Sequence, residues 1–214
     1  MYKMRLLSLF DGTGNISKPF VEAGWEVQRL DIDGRHGATL VQDIRSWDYA
    51  QEPCPDVIFA GVPCEHYSSA NTRGKRNLAL ANSLVVKTSE IIQHFELQNQ
   101  DLVWFIENPD SSLLWRRPCG TCLTPQVRLD HCAYGALWRK RTRLATNSGY
   151  VPRPLCDPKV CHACVGGKHV RTAQRGPQRG CSKETCSLDE LHAYPKELCD
   201  DILAHCHRQM WQIV

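Results

Sequence analysis

Short apolar runs alternate, in the first half of the chain, with segments whose apolar positions repeat at helical spacing. The apolar runs predict buried strands at residues 4–10, 25–31, 55–60 and 102–106. Helical spacing predicts one helix over residues 16–24 and a longer one over residues 82–95. Because buried strands and amphipathic helices follow one another in this order, the sequence predicts an α/β fold with a doubly wound, mostly parallel sheet.

The pattern changes after Asn147, where prolines, cysteines and basic residues replace the regular apolar spacing. Periodicity returns at Ser187, because Ser187 and Glu190 have the spacing of a capping box and Pro195 suits the first turn of a last helix. We therefore expect three regions: a core at residues 1–147, a small Cys- and His-rich basic insert at 148–186, and a C-terminal helix at 187–214 that returns to the core.

The composition is that of a globular protein. Hydrophobic residues make up 42% and charged residues 23% of the 214 positions, which is enough apolar material for one core. The first residues form only a short apolar run that Asp11 interrupts, so we expect a soluble intracellular protein with neither a signal peptide nor a membrane span. In a reducing compartment, the 12 cysteines favour metal binding, chemistry or buried packing over disulfides.

The formal net charge of +3 is too small to indicate a nucleic-acid partner by itself. Positive charge is concentrated, however, in residues 139–143 and in the insert. Such local charge suits a phosphate backbone, and a solvated surface explains either run alone equally well.

Polar residues follow the predicted strands at the points where those strands end. The turn Asp11-Gly12-Thr13-Gly14 follows the first strand, Asp31 ends the second, and Cys64 and Glu107 follow the next two. The carboxyl ends of such strands are where ligands bind in doubly wound sheets. A lone cysteine is more often a small buried hydrophobe than a nucleophile, whereas a carboxylate such as Glu107 must be paired, exposed or functional.

Together these residues resemble the motifs of the cytosine-C5 methyltransferases of nucleic acid, in the family's order. The matching segments are Phe10-Asp11-Gly12-Thr13-Gly14, Asp31-Ile32, Asp43-Ile44, Pro63-Cys64, Glu107-Asn108, Arg141-Thr142-Arg143 and Ala193-Tyr194-Pro195. The resemblance spans residues 4–147 and about 187–210. It implies the Rossmann-like fold of class I methyltransferases, with the last segment folded back against the cofactor site.

The resemblance also implies roles for these residues. S-adenosylmethionine would be bound by Phe10, Asp11, Gly12, Thr13, Gly14, Asp31, Ile32, Asp43, Ile44 and Pro63. Cys64 would attack carbon 6 of a cytosine flipped out of DNA, and Glu107 would hydrogen-bond the base. Arg143, with Arg141, would orient the base and lower the pKa of the thiol. The expected reaction is methyl transfer to carbon 5 through a covalent cysteine adduct.

Two other interpretations remain open at this point. An RNA methyltransferase of the same chemistry is compatible with a recognition region of only about forty residues, and a catalytically silent nucleic-acid-binding relative would keep the same fold. The chain departs from the family pattern at Val62, Glu65 and Pro109. A protein partner that supplies recognition surface is compatible with the short insert.

The insert has the residues for one tetrahedral zinc ion. Four soft ligands close in sequence stabilise a segment that is too small for its own core. The predicted ligands are Cys156, Cys161, Cys164 and His169, with His162, Cys181 and Cys186 as substitutes. The alternative is a set of thiols without metal. The pair Cys119 and Cys122 has similar spacing but no nearby partners in sequence, and we interpret it as structural.

Overall fold

The structure is a computed structural model that describes residues 2–68, 74–175 and 184–211. Its strands are β1 (Arg5–Leu9), β2 (Glu26–Asp31), β3 (Leu40–Val41), β4 (Val57–Gly61), β5 (Val103–Pro109), β6 (Gln126–Asp130), β7 (Arg141–Thr146), β8 (Cys164–Val165), β9 (Lys168–His169), β10 (Arg171–Arg175) and β11 (Glu184–Cys186). Its α-helices are α1 (Lys18–Glu22), α2 (Leu78–Glu96), α3 (Pro118–Thr121), α4 (Leu188–His192) and α5 (Lys196–Trp211). Short 3-10 turns at Gly34–His36, Tyr49–Gln51, Leu113–Arg116 and His131–Tyr134 connect them.

Seven strands form one sheet in the order β3-β2-β1-β4-β5-β7-β6. The pairs from β3 to β5 are parallel, and β7 pairs antiparallel with both β5 and β6. The prediction of an α/β fold with a mostly parallel, Rossmann-like sheet is therefore confirmed.

Apolar side chains cover both faces of this sheet, so β1 is buried from Leu6 to Leu9 and β4 from Val57 to Ala60. One face packs against α2 through Val85, Ile91 and Phe95. The other packs against α1 and α5 through buried side chains that include Phe20 and Ile202. Full burial of each such side chain contributes about 1.5–3 kcal/mol, so the two layers hold the strand ends in fixed positions.

The helix ends carry the caps that the sequence indicates. Ser187 and Glu190 form the predicted capping box at the start of α4, and α5 begins directly after Pro195. Asn77 caps α2 by accepting a hydrogen bond from the amide of Leu80 at 3.0 Å. Because of this cap, α2 begins four positions before the apolar periodicity that predicted it.

The sheet differs from the sequence-based expectation in the length of β5 and in strands that the apolar pattern does not indicate. β5 continues past the apolar run to Pro109, because β7 pairs with it as far as the register Pro109↔Thr142. The antiparallel strands β6 and β7 were not predicted. Both carry polar side chains at intervals, so neither has the continuous apolar run of the central strands.

The insert contributes only small strand pairs. β8 and β9 form a two-stranded hairpin, and β10 pairs with β11. Ala163 and Cys186 are buried there, whereas Val151, Val160 and Val165 are exposed. Among the residues that the structure describes, no helix has the length and apolar character that a membrane crossing requires.

Candidate active site and cysteine cluster

A cavity of about 220 Å³ opens at the carboxyl ends of β1, β4 and β5. It is lined by Phe10, Asp11, Gly12, Asp31, Ile32, Gly61, Val62, Pro63, Cys64, Glu107, Pro109, Lys140, His192 and Tyr194. The structure thus brings the predicted turn, thiol and carboxylate to one place. The reason is topological, because β1, β4 and β5 are neighbouring parallel strands that end at the same edge.

The turn after β1 has an unusual backbone. Phe10 has a positive φ of 56°, and Gly12 and Gly14 follow with φ values of 53° and 76°. Asp11 is buried at the centre of the turn, where its carboxylate accepts hydrogen bonds from Ser8, Ser17 and Arg29. Gly14 has a left-handed backbone and lies against the Arg29 guanidinium, which an added Cβ would displace, so both its conformation and its surroundings favour glycine. Asp11 therefore shapes the turn from within.

Asp31 connects this turn to the end of β2. One carboxylate oxygen accepts a 2.8 Å hydrogen bond from the Gly12 amide, and the other accepts a 2.8 Å bond from the Asp33 amide. Each oxygen has a second lone pair, so the carboxylate is still able to accept from a ligand hydroxyl.

A second cavity, of about 240 Å³, adjoins the first and shares Phe10, Ile32 and Pro63 with it. Its other lining residues include Leu30, Asp43, Ile44, His66 and Leu84. Hydrogen bonding to Arg45 lowers the pKa of Asp43, so this carboxylate is ionised at the rim. Of the predicted cofactor residues, Thr13 and Gly14 line neither cavity and lie in the turn beside them.

The positions of Cys64 and Glu107 are fixed relative to each other. Gly61, at the end of β4, is in register with Glu107 on β5. Asn108 donates from Nδ2 to the carbonyl of Val62 at 2.7 Å, which ties the segment that carries Cys64 to the end of β5. Burial raises the pKa of the Cys64 thiol, Glu107 raises it further, and Lys140 opposes both. The resting thiol is therefore protonated at neutral pH.

Glu107 is only 5% exposed, and its two carboxylate oxygens differ in their hydrogen bonding. Its Oε2 accepts a 2.9 Å hydrogen bond from the hydroxyl of Tyr194. Burial and the neighbouring Glu107 raise the pKa of Tyr194 well above its usual value, so Tyr194 stays a neutral donor. Within the described part of the chain, nothing hydrogen-bonds the buried Oε1 of Glu107. A buried acceptor without a partner is costly, and a ligand donor in the cavity would satisfy it.

The two predicted arginines do not line this cavity, and each is paired with a carboxylate. Arg141 makes two hydrogen bonds to the buried Asp130, at 3.0 and 2.7 Å. Arg143 is bound to Asp110 and lies over the ring of Trp115, at 5.2 Å from its centroid. The cation among the main causes of the shift in the pKa of the Cys64 thiol is Lys140, and the effect of Arg143 on that pKa stays a prediction.

Lys140 is the cation that lines the cavity of the thiol, and the sequence analysis missed it. It precedes β7 by one position, and its ammonium group donates to the carbonyl of Leu191 at 3.0 Å. The only available signal was its place in the basic run that precedes the Arg-x-Arg motif.

A curated relative matches part of the chain by sequence. The type II methyltransferase M.HgiGI of Herpetosiphon aurantiacus is 30% identical over 95 residues, which cover 36% of this chain and 75% of that protein. The chain belongs to the cytosine-C5 methyltransferase family. No family model matches it.

Two solved structures resemble this methyltransferase-family chain more distantly. Dnmt2 methyltransferase of S. pombe aligns with a TM-score of 0.48 at 12% identity, over 79% of this chain and 58% of that one. Entamoeba histolytica EhMeth aligns with a TM-score of 0.45 at 12% identity, over 73% and 57%. This chain therefore spans less than two thirds of the length of either protein.

Away from the cavity, four side chains that are able to bind a metal ion lie close together. The ligand atoms of Cys132, Cys156, Cys161 and His169 all lie within 4.8 Å of one another. This corrects the predicted set, because Cys132 takes the place of Cys164. Spacing along the insert did not reveal Cys132, which belongs to the core and follows β6.

The other cysteines considered have different surroundings. The thiol of Cys186 is buried and donates to the carbonyl of Thr172 at 3.3 Å, and His162 is exposed. Cys181 lies outside the described residues. Cys119 packs against the core beside α2, whereas Cys122 is exposed.

Proposed function

We propose that this chain transfers a methyl group from S-adenosylmethionine to carbon 5 of cytosine in DNA, through a covalent adduct with Cys64. The observation that carries the proposal is one cavity beside the turn after β1. It holds Cys64 and Oε1 of Glu107, an acceptor that no described residue hydrogen-bonds. Family membership supports the same reaction class.

The residues present fit S-adenosylmethionine. The glycine turn allows a ligand to approach the backbone closely, and the Asp31 carboxylate suits a ribose hydroxyl. The adjoining cavity, lined by Ile32, Ile44 and Leu84, suits a flat apolar ring. When bound there, S-adenosylmethionine would supply an electrophilic methyl group at the edge of the cavity that holds Cys64.

The reaction begins at the thiol. Because the pKa of Cys64 is raised by burial, its proton must leave for solvent before the sulfur reacts. The thiolate then forms a bond to carbon 6 of the cytosine, and the electron pair of the 5,6 double bond becomes available at carbon 5. Lys140 offsets the negative charge that moves onto the ring, and Glu107 Oε1 accepts a hydrogen bond from the exocyclic amine.

Carbon 5 next takes the methyl group, and the bond between that methyl and the donor sulfur breaks. Loss of the carbon 5 proton to solvent restores the double bond and expels Cys64 as a thiolate. Glu107 keeps one geometry throughout, because Tyr194 holds its other oxygen.

The target base must leave the duplex to reach this cavity, which costs a few kcal/mol that contacts to the phosphate backbone offset. We assign those contacts to the insert, where Lys159 and Lys168 are exposed. Because the insert offers so few residues for base recognition, the proposal includes a protein partner that supplies part of the target recognition.

Transfer of tritiated methyl groups from labelled S-adenosylmethionine to unmethylated duplex DNA tests the proposal. We expect incorporation at cytosine with the natural chain and none with Cys64→Ser, because a serine hydroxyl is a far weaker nucleophile. Cys54→Ser is the matched control, because Cys54 lies at the opposite end of β4 and should tolerate the change.

A trapped adduct gives a second readout. In the presence of S-adenosylmethionine, duplex DNA with 5-fluorocytosine should form a complex with the natural chain that survives denaturation, because the methylated adduct lacks the carbon 5 proton whose loss releases Cys64. Full activity of Cys64→Ser would refute the covalent mechanism. Incorporation into transfer RNA but not DNA would replace the DNA substrate with RNA, and binding without transfer to either would indicate a silent relative.

A further inference from the structure

The cysteine cluster has the dimensions of a metal site. The sulfur atoms of Cys156 and Cys161 lie 3.5 and 3.7 Å from Nε2 of His169. In a tetrahedral zinc site, Zn–S bonds of about 2.3 Å and Zn–N bonds of about 2.0–2.1 Å place sulfur and nitrogen about 3.6 Å apart. The two separations therefore match the ligand-to-ligand distance that zinc imposes.

The type of ligand agrees with this geometry. Three sulfur atoms and one imidazole nitrogen form a soft set that favours zinc over magnesium or calcium. Four protein ligands leave no position open for a substrate, which is the arrangement of structural zinc sites. The group also lies apart from the cavity of Cys64, whose lining includes none of its members.

The ligands come from two parts of the chain. Cys132 lies in the 3-10 turn that directly follows β6, so its position is set by the core. His169 is held by the β8–β9 hairpin, and Cys161 ends a turn in which its amide donates to the carbonyl of Asp157 at 3.0 Å. A metal at this point would therefore crosslink the insert to the core.

The crosslink lies next to an arginine of the family motif. The amide of Cys156 donates to Oδ2 of Asp130 at 3.0 Å, and the same carboxylate pairs with Arg141. We propose that Cys132, Cys156, Cys161 and His169 bind one structural zinc ion that fastens the insert to the core beside Arg141.

Metal content tests the site without reference to methyl transfer. The full chain, purified without chelator, should contain about one zinc per chain when its metal content is measured by inductively coupled plasma mass spectrometry. Cys132→Ser should lose at least nine tenths of it, because the core ligand is gone. Cys164→Ser is the matched control and should keep its zinc, because Cys164 is outside the group although it is the neighbour expected from spacing.

The reverse result, with zinc lost in Cys164→Ser and kept in Cys132→Ser, would overturn the assignment, as would a natural chain that binds no added zinc. If Cys132→Ser does not fold, the natural chain decides by thiol alkylation with and without a chelator. Chelation should expose Cys156 and Cys161 to alkylation at least tenfold faster, with the exposed Cys122 unchanged. Equal rates in both conditions would contradict the site.

Discussion

The strand-end cavity and the cysteine cluster are built in opposite ways. The cavity takes its residues from the ends of neighbouring strands of one sheet, and two apolar layers hold those strands from both sides. The cluster joins a core residue to an insert that buries few side chains. The stability of the core holds the cavity in place, whereas the cluster is held in place by the metal that its four side chains bind.

The difference also explains what each region tolerates. In the cavity, the loss of one functional group changes the chemistry and leaves the sheet intact. In the cluster, the loss of one ligand removes the crosslink and releases the insert. We therefore expect changes in the cavity to appear in rates, and changes in the cluster to appear in local stability.

Among variants that keep the nucleophile, the largest effect is expected for Glu107→Gln. The amide keeps the shape of the side chain but loses the charge and one acceptor that face the base. Removal of such electrostatic stabilisation costs about 10²–10³-fold in kcat. Single-turnover methyl transfer measures this loss, with unfolding in urea as the check on stability.

Glu22→Gln on the exposed surface of α1 is the matched control and should retain full activity. A Glu107→Gln variant that loses activity only because it unfolds would remove Glu107 from the chemistry and contradict the separation of rates from stability.

Removal of zinc should have the next largest effect, confined to the insert. If free zinc is present at 100 times its dissociation constant, its removal lowers the protection of the insert amides against hydrogen exchange by about 100-fold. Hydrogen exchange should therefore quicken by up to that factor at the amides of Cys161 and Cys164, which are hydrogen-bonded in turns of the insert. Exchange in β1 and β4 should stay within twofold. Equal acceleration in the sheet would show that the two regions unfold as one.

The sequence predicted the cavity better than the cluster for a physical reason. Strand ends at one edge of a parallel sheet meet in space, so the order of Asp31, Cys64 and Glu107 along the chain was sufficient to place them together. No local pattern links Cys132 to Cys156, because their proximity depends on where the insert folds back. Spacing therefore selected Cys164 instead.

The arginines show a second limit of sequence reasoning. Alternation along β7 puts Arg141 and Arg143 on one face, as the motif requires. Their carboxylate partners, however, come from β6 and from the segment after β5, and no pattern in β7 indicates either of them. Lys140 lies outside the motif and therefore received no role, although it is the cation at the thiol.

A change at Tyr194 tests whether the C-terminal segment that follows the insert helps to position Glu107 in the cavity. Tyr194→Phe removes the 2.9 Å hydrogen bond to Glu107, and bonds to charged groups contribute about 1.5–3 kcal/mol. We expect kcat to fall about tenfold, with the affinity for S-adenosylmethionine nearly unchanged. Tyr134→Phe is the matched control, because its hydroxyl lies away from the cavity and bonds to Tyr150. Equal activity of Tyr194→Phe and the natural chain would show that Glu107 needs no support from this segment.

The smallest effect concerns how the alkylation rate of Cys64 depends on pH. It decides whether Lys140 or Arg143 is the cation that lowers the pKa of this thiol. The pKa of this thiol is raised by burial and by Glu107 and lowered by Lys140, so the thiolate fraction grows about tenfold per pH unit below that pKa. Lys140→Met removes the favourable charge, and alkylation of Cys64 at pH 8 should slow severalfold as its pH profile moves to higher pH. Arg143→Met, which removes the charge beside Asp110 in the same way, should leave the profile unchanged.

Iodoacetamide labelling followed by peptide mass spectrometry measures the alkylation rate of Cys64 in both variants. If the profile moves in Arg143→Met and not in Lys140→Met, the arginine controls the thiol as the family motif implies. If it moves only in Lys140→Met, the cation that activates the nucleophile lies one strand position outside that motif. Because labelling needs neither DNA nor a methyl donor, this result holds whichever nucleic acid proves to be the substrate.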